Sequence, residues 1–233
     1  MNTNIAKWLG RLVVAGVAFG SGAPAAPAAT AADQPSSWPR KSVTIVVPFS
    51  PGGSTDQIAR LFSAKLAEKL GQPFVVVNRP GAGTIVGMQE VVRARPDGYT
   101  LLLAVPPLVV NPALYPQLSY QPLRDTQAVG LVTLNPNVLV VPADSPWRTP
   151  QQLFEAAQAK PDTITIGSPG IGTVPHLVSL LIGQELNVRV VPVPYKGSAA
   201  LMPDLVSGRV NAAMDNLFAQ VACELSIGCI RPG

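Results

Sequence analysis

An α/β fold built on parallel strands is predicted by three features of the chain. Short β-branched runs alternate with segments whose apolar residues recur at helical spacing, the pattern of a parallel sheet with helical crossovers. Glycine-rich turns stand between strand and helix at 50–56, 168–176 and 195–198. The strand–helix series runs once through 43–105 and again through 149–216, so the 233 residues make one large domain or two small ones.

The first unit sets the pattern. Val43 to Val47 are β-branched and read as a buried strand. Pro48, Pro51, Gly52 and Gly53 break it into a tight loop. Ser54 is expected as a helix N-cap, with Gln57 at capping-box spacing. Ile58, Phe62, Leu66 and Leu70 recur at helical spacing, and Gly71 stands at the C-cap position. A helix N-terminus carries free N–H groups and about half a positive elementary charge. With no Cβ at Gly52 and Gly53 a ligand can lie against the backbone, so the turn suits an anion without metal or arginine. The same turn also serves as a plain strand–helix connection, and both readings stand at this point.

Further along, Phe74 to Asn78 is a second strand, and Gly81-Ala-Gly-Thr84 opens a helix over Ile85 to Ala94. Pro96-Asp97-Gly98 is a turn before a third strand, Tyr99 to Val105. The Pro-, Asn- and Gln-rich stretch Pro106 to Asp125 reads as an ordered loop. Ala128 to Val141 is a long extended run that suits a strand crossing between two lobes. Thr149 and Pro150 begin a helix through Ala159, with Pro150 in the first turn. Thr163 to Ile166 is a strand, and the turn from Ser168 to His176 leads into a helix whose apolar face is Leu177, Leu180 and Leu181. Val188 to Val193 is a strand, followed by the turn Tyr195-Lys196-Gly197-Ser198 and a helix that Pro203 is expected to interrupt. Val210 to Met214 is the last strand and ends at Asp215-Asn216.

The N-terminus carries an address. Lys7 and Arg11 precede the apolar run Leu12 to Phe19, and small residues lead to Ala29-Thr30-Ala31, the form of a cleavable secretory signal over residues 1–32. The run is too short for a stable membrane span. Removing two cations and no acid takes the net charge from +4 to +2, and no basic cluster interleaved with aromatics suggests nucleic acid. Export implies an oxidising space, but Cys223 and Cys229 both lie near the C-terminus, where they can pair locally and cannot staple a core.

Each of the three glycine turns follows a strand and precedes a helix, so all lie at carboxyl ends of sheets, where open α/β sheets bind ligands. Two lobes facing each other would point several helix N-termini into one cleft. Enzyme readings have less support. His176 is the one histidine, the Gly-x-Ser-x-Gly elbow is absent, and so is the phosphate loop of nucleoside triphosphatases. Metal ligation would need more than one histidine and two terminal cysteines. For His176 a capping role stands beside ligand contact. For Asp56 a first-turn acid stands beside a partner for a ligand ammonium or hydroxyl, and for Lys196 a solvated loop lysine stands beside substrate contact.

Eight motifs in order carry a resemblance: Trp38-Pro-Arg-Lys, Val46-Val-Pro-Phe-Ser-Pro-Gly-Gly-Ser-Thr-Asp56, Leu70-Gly-Gln-Pro73, Val77-Asn-Arg-Pro-Gly-Ala-Gly83, Pro96-Asp-Gly-Tyr-Thr-Leu-Leu102, Asn111-Pro-Ala-Leu-Tyr115, Ser168-Pro-Gly-Ile-Gly172 with His176, and Val193-Pro-Tyr-Lys-Gly197. On these the chain resembles the substrate-binding proteins of tripartite tricarboxylate transporters, the TctC or Bug-type receptors. The resemblance implies a periplasmic, two-lobed type II binding-protein fold, the Venus flytrap, closing on a small carboxylate without a cofactor. It implies partnership with membrane permease subunits, and a monomer is the default for the class. It places the ligand against Pro51, Gly52, Gly53, Ser54, Thr55 and Asp56 on one side. On the other it places Ser168, Gly170, Gly172 and His176, with Tyr195, Lys196, Gly197 and Asp215 near the same cleft. The implied division is a first lobe with the crossing strand over 38–141, a second lobe over 142–217, and a divergent tail over 218–233. Family members continue past this chain's end, so a truncated first lobe is expected. The alternatives are a non-binding remnant, a ligand-sensing partner of a signalling system, or a secreted hydrolase using His176 with Ser168 or Ser54.

Overall fold

A computed structural model describes residues 38–221, and the expected signal, Cys223 and Cys229 lie outside them. Two sheets organise the chain. The first is β1 (Val43–Val47) flanked by β2 (Phe74–Asn78) and β3 (Thr100–Leu102), all parallel. α1 (Ser54–Leu70) connects β1 to β2. A short 3-10 turn, Ala82–Thr84, and α2 (Ile85–Arg93) connect β2 to β3. Val43, Ile45 and Phe74 pack as one buried group, and Val47, Phe49 and Ala59 as another.

The second sheet has the order β4-β7-β5-β6. Its strands are β4 (Asn137–Val140), β5 (Thr165–Ser168), β6 (Val191–Pro194) and β7 (Ala212–Asn216). β5 runs parallel to β6 and β7, and β4 runs antiparallel to β7. α5 (Pro150–Ala159) and α6 (Val174–Glu185) cover one face, where Leu153, Ile166 and Met214 are buried. α7 (Ser198–Val206) covers the other, where Leu201, Leu205 and Ala213 are buried. Among the described residues no helix is long and apolar enough to cross a membrane.

Several expectations change. Residues 106–125 are not a loop: α3 (Pro107–Leu114) and α4 (Pro122–Asp125) form there. Pro107 and Pro122 both sit in a first turn, where a missing N–H forfeits no intrahelical bond. Of the extended run over 128–141, only Asn137–Val140 is strand. α7 runs through Pro203, giving up the single bond that residue would make to the Ala199 carbonyl. The inward faces of two helices also differ. α1 buries Ala59 and Ser63 and leaves Phe62 and Leu70 exposed; α6 buries Pro175, Ser179 and Gly183 and leaves Leu177, Leu180 and Leu181 exposed. Small residues let both helices lie close to their sheets.

Gly87 shows how close such packing is. A Cβ there would sit 3.0 Å from the Arg79 carbonyl oxygen and 3.1 Å from the Pro48 Cα, both backbone atoms. Gly87→Ala is therefore expected to cost about 1–2 kcal/mol by overpacking, read as a lower urea midpoint at unchanged slope.

Candidate functional site

The loops that leave β1, β5 and β6 meet at the carboxyl ends of both sheets. The Ser50 N–H donates to the Lys196 carbonyl at 3.1 Å, joining the β1–α1 loop to the β6–α7 loop. A Cβ on Gly53 would lie 3.6 Å from the amide nitrogens of both Ser198 and Ala199. The first turns of α1 and α7 therefore face each other at close range. Gly197, at φ +123°, allows the turn, and a Cβ there would make ordinary contact with Phe49 at 3.5 Å. Gly170 brings the β5–α6 loop to the same place, since its Cβ would stand 3.2 Å from the Tyr195 carbonyl oxygen.

Capping differs among the three helices. α6 is capped by Thr173, whose hydroxyl accepts from the His176 N–H at 3.4 Å. α1 and α7 begin at Gly53 and Gly197, and neither has a side-chain cap. Ser54 is thus the first helical residue and not the cap, and its hydroxyl accepts from Asn216 Nδ2 at 3.4 Å. Two uncapped positive helix ends converge on one spot, an arrangement suited to an anion.

Two buried acids support it from behind. Asp56 Oδ2 accepts from the Gly52 N–H and from Arg60 Nε, both at 2.9 Å, and Oδ1 accepts from Asn78 Nδ2 at 2.9 Å. Burial pushes this carboxyl up, and the bonds from Arg60, Gly52 and Asn78 more than reverse that, leaving its pKa below the ordinary value. Both oxygens are committed to protein donors, so Asp56 clips the glycine loop to the helix. Asp215 is fully buried. It accepts from Ser198 Oγ at 2.9 Å, the Asn216 N–H at 2.7 Å and Gln220 Nε2 at 3.0 Å. Burial outweighs those bonds and pushes its pKa up to about 6.

The remaining predicted residues fall as follows. Pro51 and Gly52 are exposed on the loop, and Thr55 is half-buried in the first turn of α1. Ser168 is fully buried, and its Oγ has no partner. His176 is half-buried with Nδ1 unpartnered, and burial lowers its pKa. Gly172 turns towards α3, where its Cβ would meet Leu114 and Asn111. Tyr195 points along α7: its hydroxyl donates to Asp204 Oδ2 at 2.8 Å, and burial together with that carboxylate raises its pKa to about 12. Lys196 meets the other loop through its carbonyl, and the residue is otherwise exposed. Asn216, Asn137 and Gln220 join the cluster without having been singled out in the sequence, whereas Ser198 closes the third glycine turn. Asn216 and Asn137 are neighbours only through strand register, which sequence spacing does not reveal. An open cleft of about 460 Å³ lies elsewhere, between Gln89 of α2 and the turn at Tyr115–Ser119, and no charged residue lines it.

The family described as tripartite tricarboxylate transporter family receptor matches residues 58–231, a range that includes most of the stretch set apart above as a divergent tail. A protein from the tcbD-tcbE intergenic region of Pseudomonas sp. (strain P51) is 42% identical over 210 residues, covering 90% of this chain and 61% of the relative. The chain thus spans less than two thirds of that relative's length. Among solved structures, the periplasmic binding protein BugD is similar at 32% identity and TM-score 0.72, covering 81% of this chain and 63% of that one. R. palustris Rpa4515 with adipate is similar at 34% and 0.74, covering 84% and 65%. MatC from Rhodopseudomonas palustris with bound malate is similar at 32% and 0.72, covering 80% and 64%. Over about four fifths of its length the chain has the α/β fold of periplasmic binding proteins.

Proposed function

The chain belongs to the tripartite tricarboxylate transporter receptor family, and on that premise we propose that it captures a small carboxylate in the periplasm and presents it to tripartite membrane permease subunits, without chemistry on the ligand. One observation carries the reading: the uncapped first turns of α1 and α7, one from each sheet, face each other across Gly53, Ser198 and Ala199. A carboxylate there gathers backbone N–H bonds from both helices and needs no formal cation. The adipate and malate held by similar structures are guests of that kind. Sites for the ligand are Pro51 to Thr55 on one side and Ser168, Gly170, His176 and Gly197 on the other. Asp56 and Asp215 brace the loops.

Among the described residues, a hydrolase using His176 with Ser168 or Ser54 has no matching geometry: the Ser54 hydroxyl accepts from Asn216, and neither Ser168 Oγ nor His176 Nδ1 has a partner, so neither serine is bonded to the histidine. Binding tests the proposal through stability. A ligand present at a hundred times its Kd adds about 2.7 kcal/mol to unfolding. Thermal melts of the full chain with succinate, malate, glutarate, adipate and citrate are expected to show a saturable rise with at least one. A flat response to all five contradicts the assignment.

A further inference from the structure

One ionisable group is linked to the starts of both helices that converge on the proposed anion site. Asp215 Oδ1 accepts from Ser198 Oγ, on the first residue of α7, at 2.9 Å. The same oxygen accepts from Asn216 Nδ2 at 3.4 Å, and that amide also donates to Ser54 Oγ, on the first residue of α1, at 3.4 Å. Asp215 is fully buried, and every donor it meets is neutral. The charged groups of the surrounding elements are engaged elsewhere. Asp56 and Arg60 of α1 pair with each other, Asp204 of α7 bonds Tyr195 and Arg209, and Lys196 is exposed. β4, β5, β6 and residues 217–221 carry no charge, and α6 brings only His176 at its start, which burial keeps neutral.

A carboxylate seated between Gly53 and Ser198 therefore brings a second negative charge towards a buried one that has no cation among its partners. Like charges in one site raise a carboxyl's pKa. Burial already holds Asp215 at about 6, so a proton is within reach near neutral pH. A place for that proton exists. Gln220 Nε2 bonds Asp215 Oδ2 at 3.0 Å, while Gln220 Oε1 is buried without a partner. Turning the amide over sets Oε1 against Oδ2, where a protonated carboxyl has an O–H to donate. We propose that Asp215 takes up a proton from solvent as the guest's carboxylate settles and returns it on release, so that capture tightens in acid and loosens as pH rises. The inference rests on the carboxylate reading above and adds the regulation of that site.

The test titrates succinate, malate, glutarate, adipate and citrate by calorimetry into the full natural chain and into Asp215→Asn. A neighbouring charge that lifts the Asp215 pKa by about one unit changes affinity about tenfold. For the acid bound most tightly, Asp215→Asn is therefore expected to bind about tenfold better than the natural chain at pH 8 and no better at pH 5. Titration at pH 6.5 in two buffers of different ionisation heat counts protons, and the natural chain should take up about half a proton more per guest than the variant. The guest and His176 titrate in both proteins and cancel. On the natural chain alone, carbon NMR of the Asp215 carboxyl should place its midpoint about one pH unit higher with guest than without. A ratio of the two affinities that stays flat from pH 5 to pH 8, as a mere brace would give, overturns the proposal and leaves the carboxylate reading intact. An unmoved carboxyl midpoint, or equal proton counts, does the same. No heat from any of the five acids at either pH overturns both.

Discussion

Asp56→Ala is expected to destabilise the chain by about 3 kcal/mol and to weaken carboxylate binding together with it. The side chain is almost wholly buried and accepts from three donors: the Gly52 N–H, Arg60 Nε and Asn78 Nδ2. Hydrogen bonds to a charged group contribute about 1.5–3 kcal/mol each. The Arg60 bond counts for little, because that side chain is half exposed and regains water. The loss thus falls mainly on the Gly52 amide and Asn78. Asn78 also donates to the Phe49 carbonyl at 3.1 Å, so the loop that meets Ser198 and Lys196 loosens as well. The Asp56 pKa lies below its unfolded value, so its stabilisation is present above about pH 4 and disappears as pH falls through the folded value. Urea unfolding of both proteins at pH 7 and pH 3 checks this, and the difference is expected to shrink at the acid end.

Asp215 is expected to act with the opposite sign. Its folded pKa of about 6 stands above the ordinary value of 3.8. The native chain therefore takes up a proton between those values before the unfolded chain does. Stability tied to this group is full below the unfolded pKa and is lost as pH rises through 6. Relative to Asp215→Asn, the natural chain should gain about 1 kcal/mol on going from pH 7 to pH 5, and about 2 kcal/mol by pH 4. His176 runs the other way, because burial keeps its native imidazole neutral while the unfolded chain charges. Both proteins carry His176, so the comparison cancels it. A difference that is flat across pH 4–7 would show Asp215 ionising normally.

Much of this architecture is legible in the sequence, and the failures share a cause. α1 is legible because β-branched residues stop at Pro48, glycine opens the turn, and Gly71 closes the helix in the left-handed region at φ 69°. α3 and α4 are hidden because proline and asparagine density reads as loop until the prolines are placed in first turns. The buried faces of α1 and α6 are misassigned because periodicity counts large apolar residues, whereas close packing selects Ala59, Ser63, Ser179 and Gly183. At the site, the glycine loops and Ser168 are readable from local pattern. The partners of Asp215 are not, since Ser198 and Gln220 reach it from a different helix and from the stretch after β7. The same holds for Asn137, which β4 places beside Asn216 from 79 positions away by their numbers.

The central claim is that backbone amides at the start of α1 hold the guest's charge, and one pair of variants isolates such an amide. Ser54 is the first residue of α1, and Gly53 before it has φ −77° and ψ 172°, a conformation that proline accepts in the residue preceding it. Ser54→Pro therefore removes one amide proton with the helix start kept, while Ser54→Ala removes only the hydroxyl. Calorimetric titration of both with the tightest carboxylate is the most direct measurement. Ser54→Pro is expected to bind about 10–100-fold more weakly than Ser54→Ala, the value of one hydrogen bond to a charged group. Equal affinity in the two variants would contradict the claim.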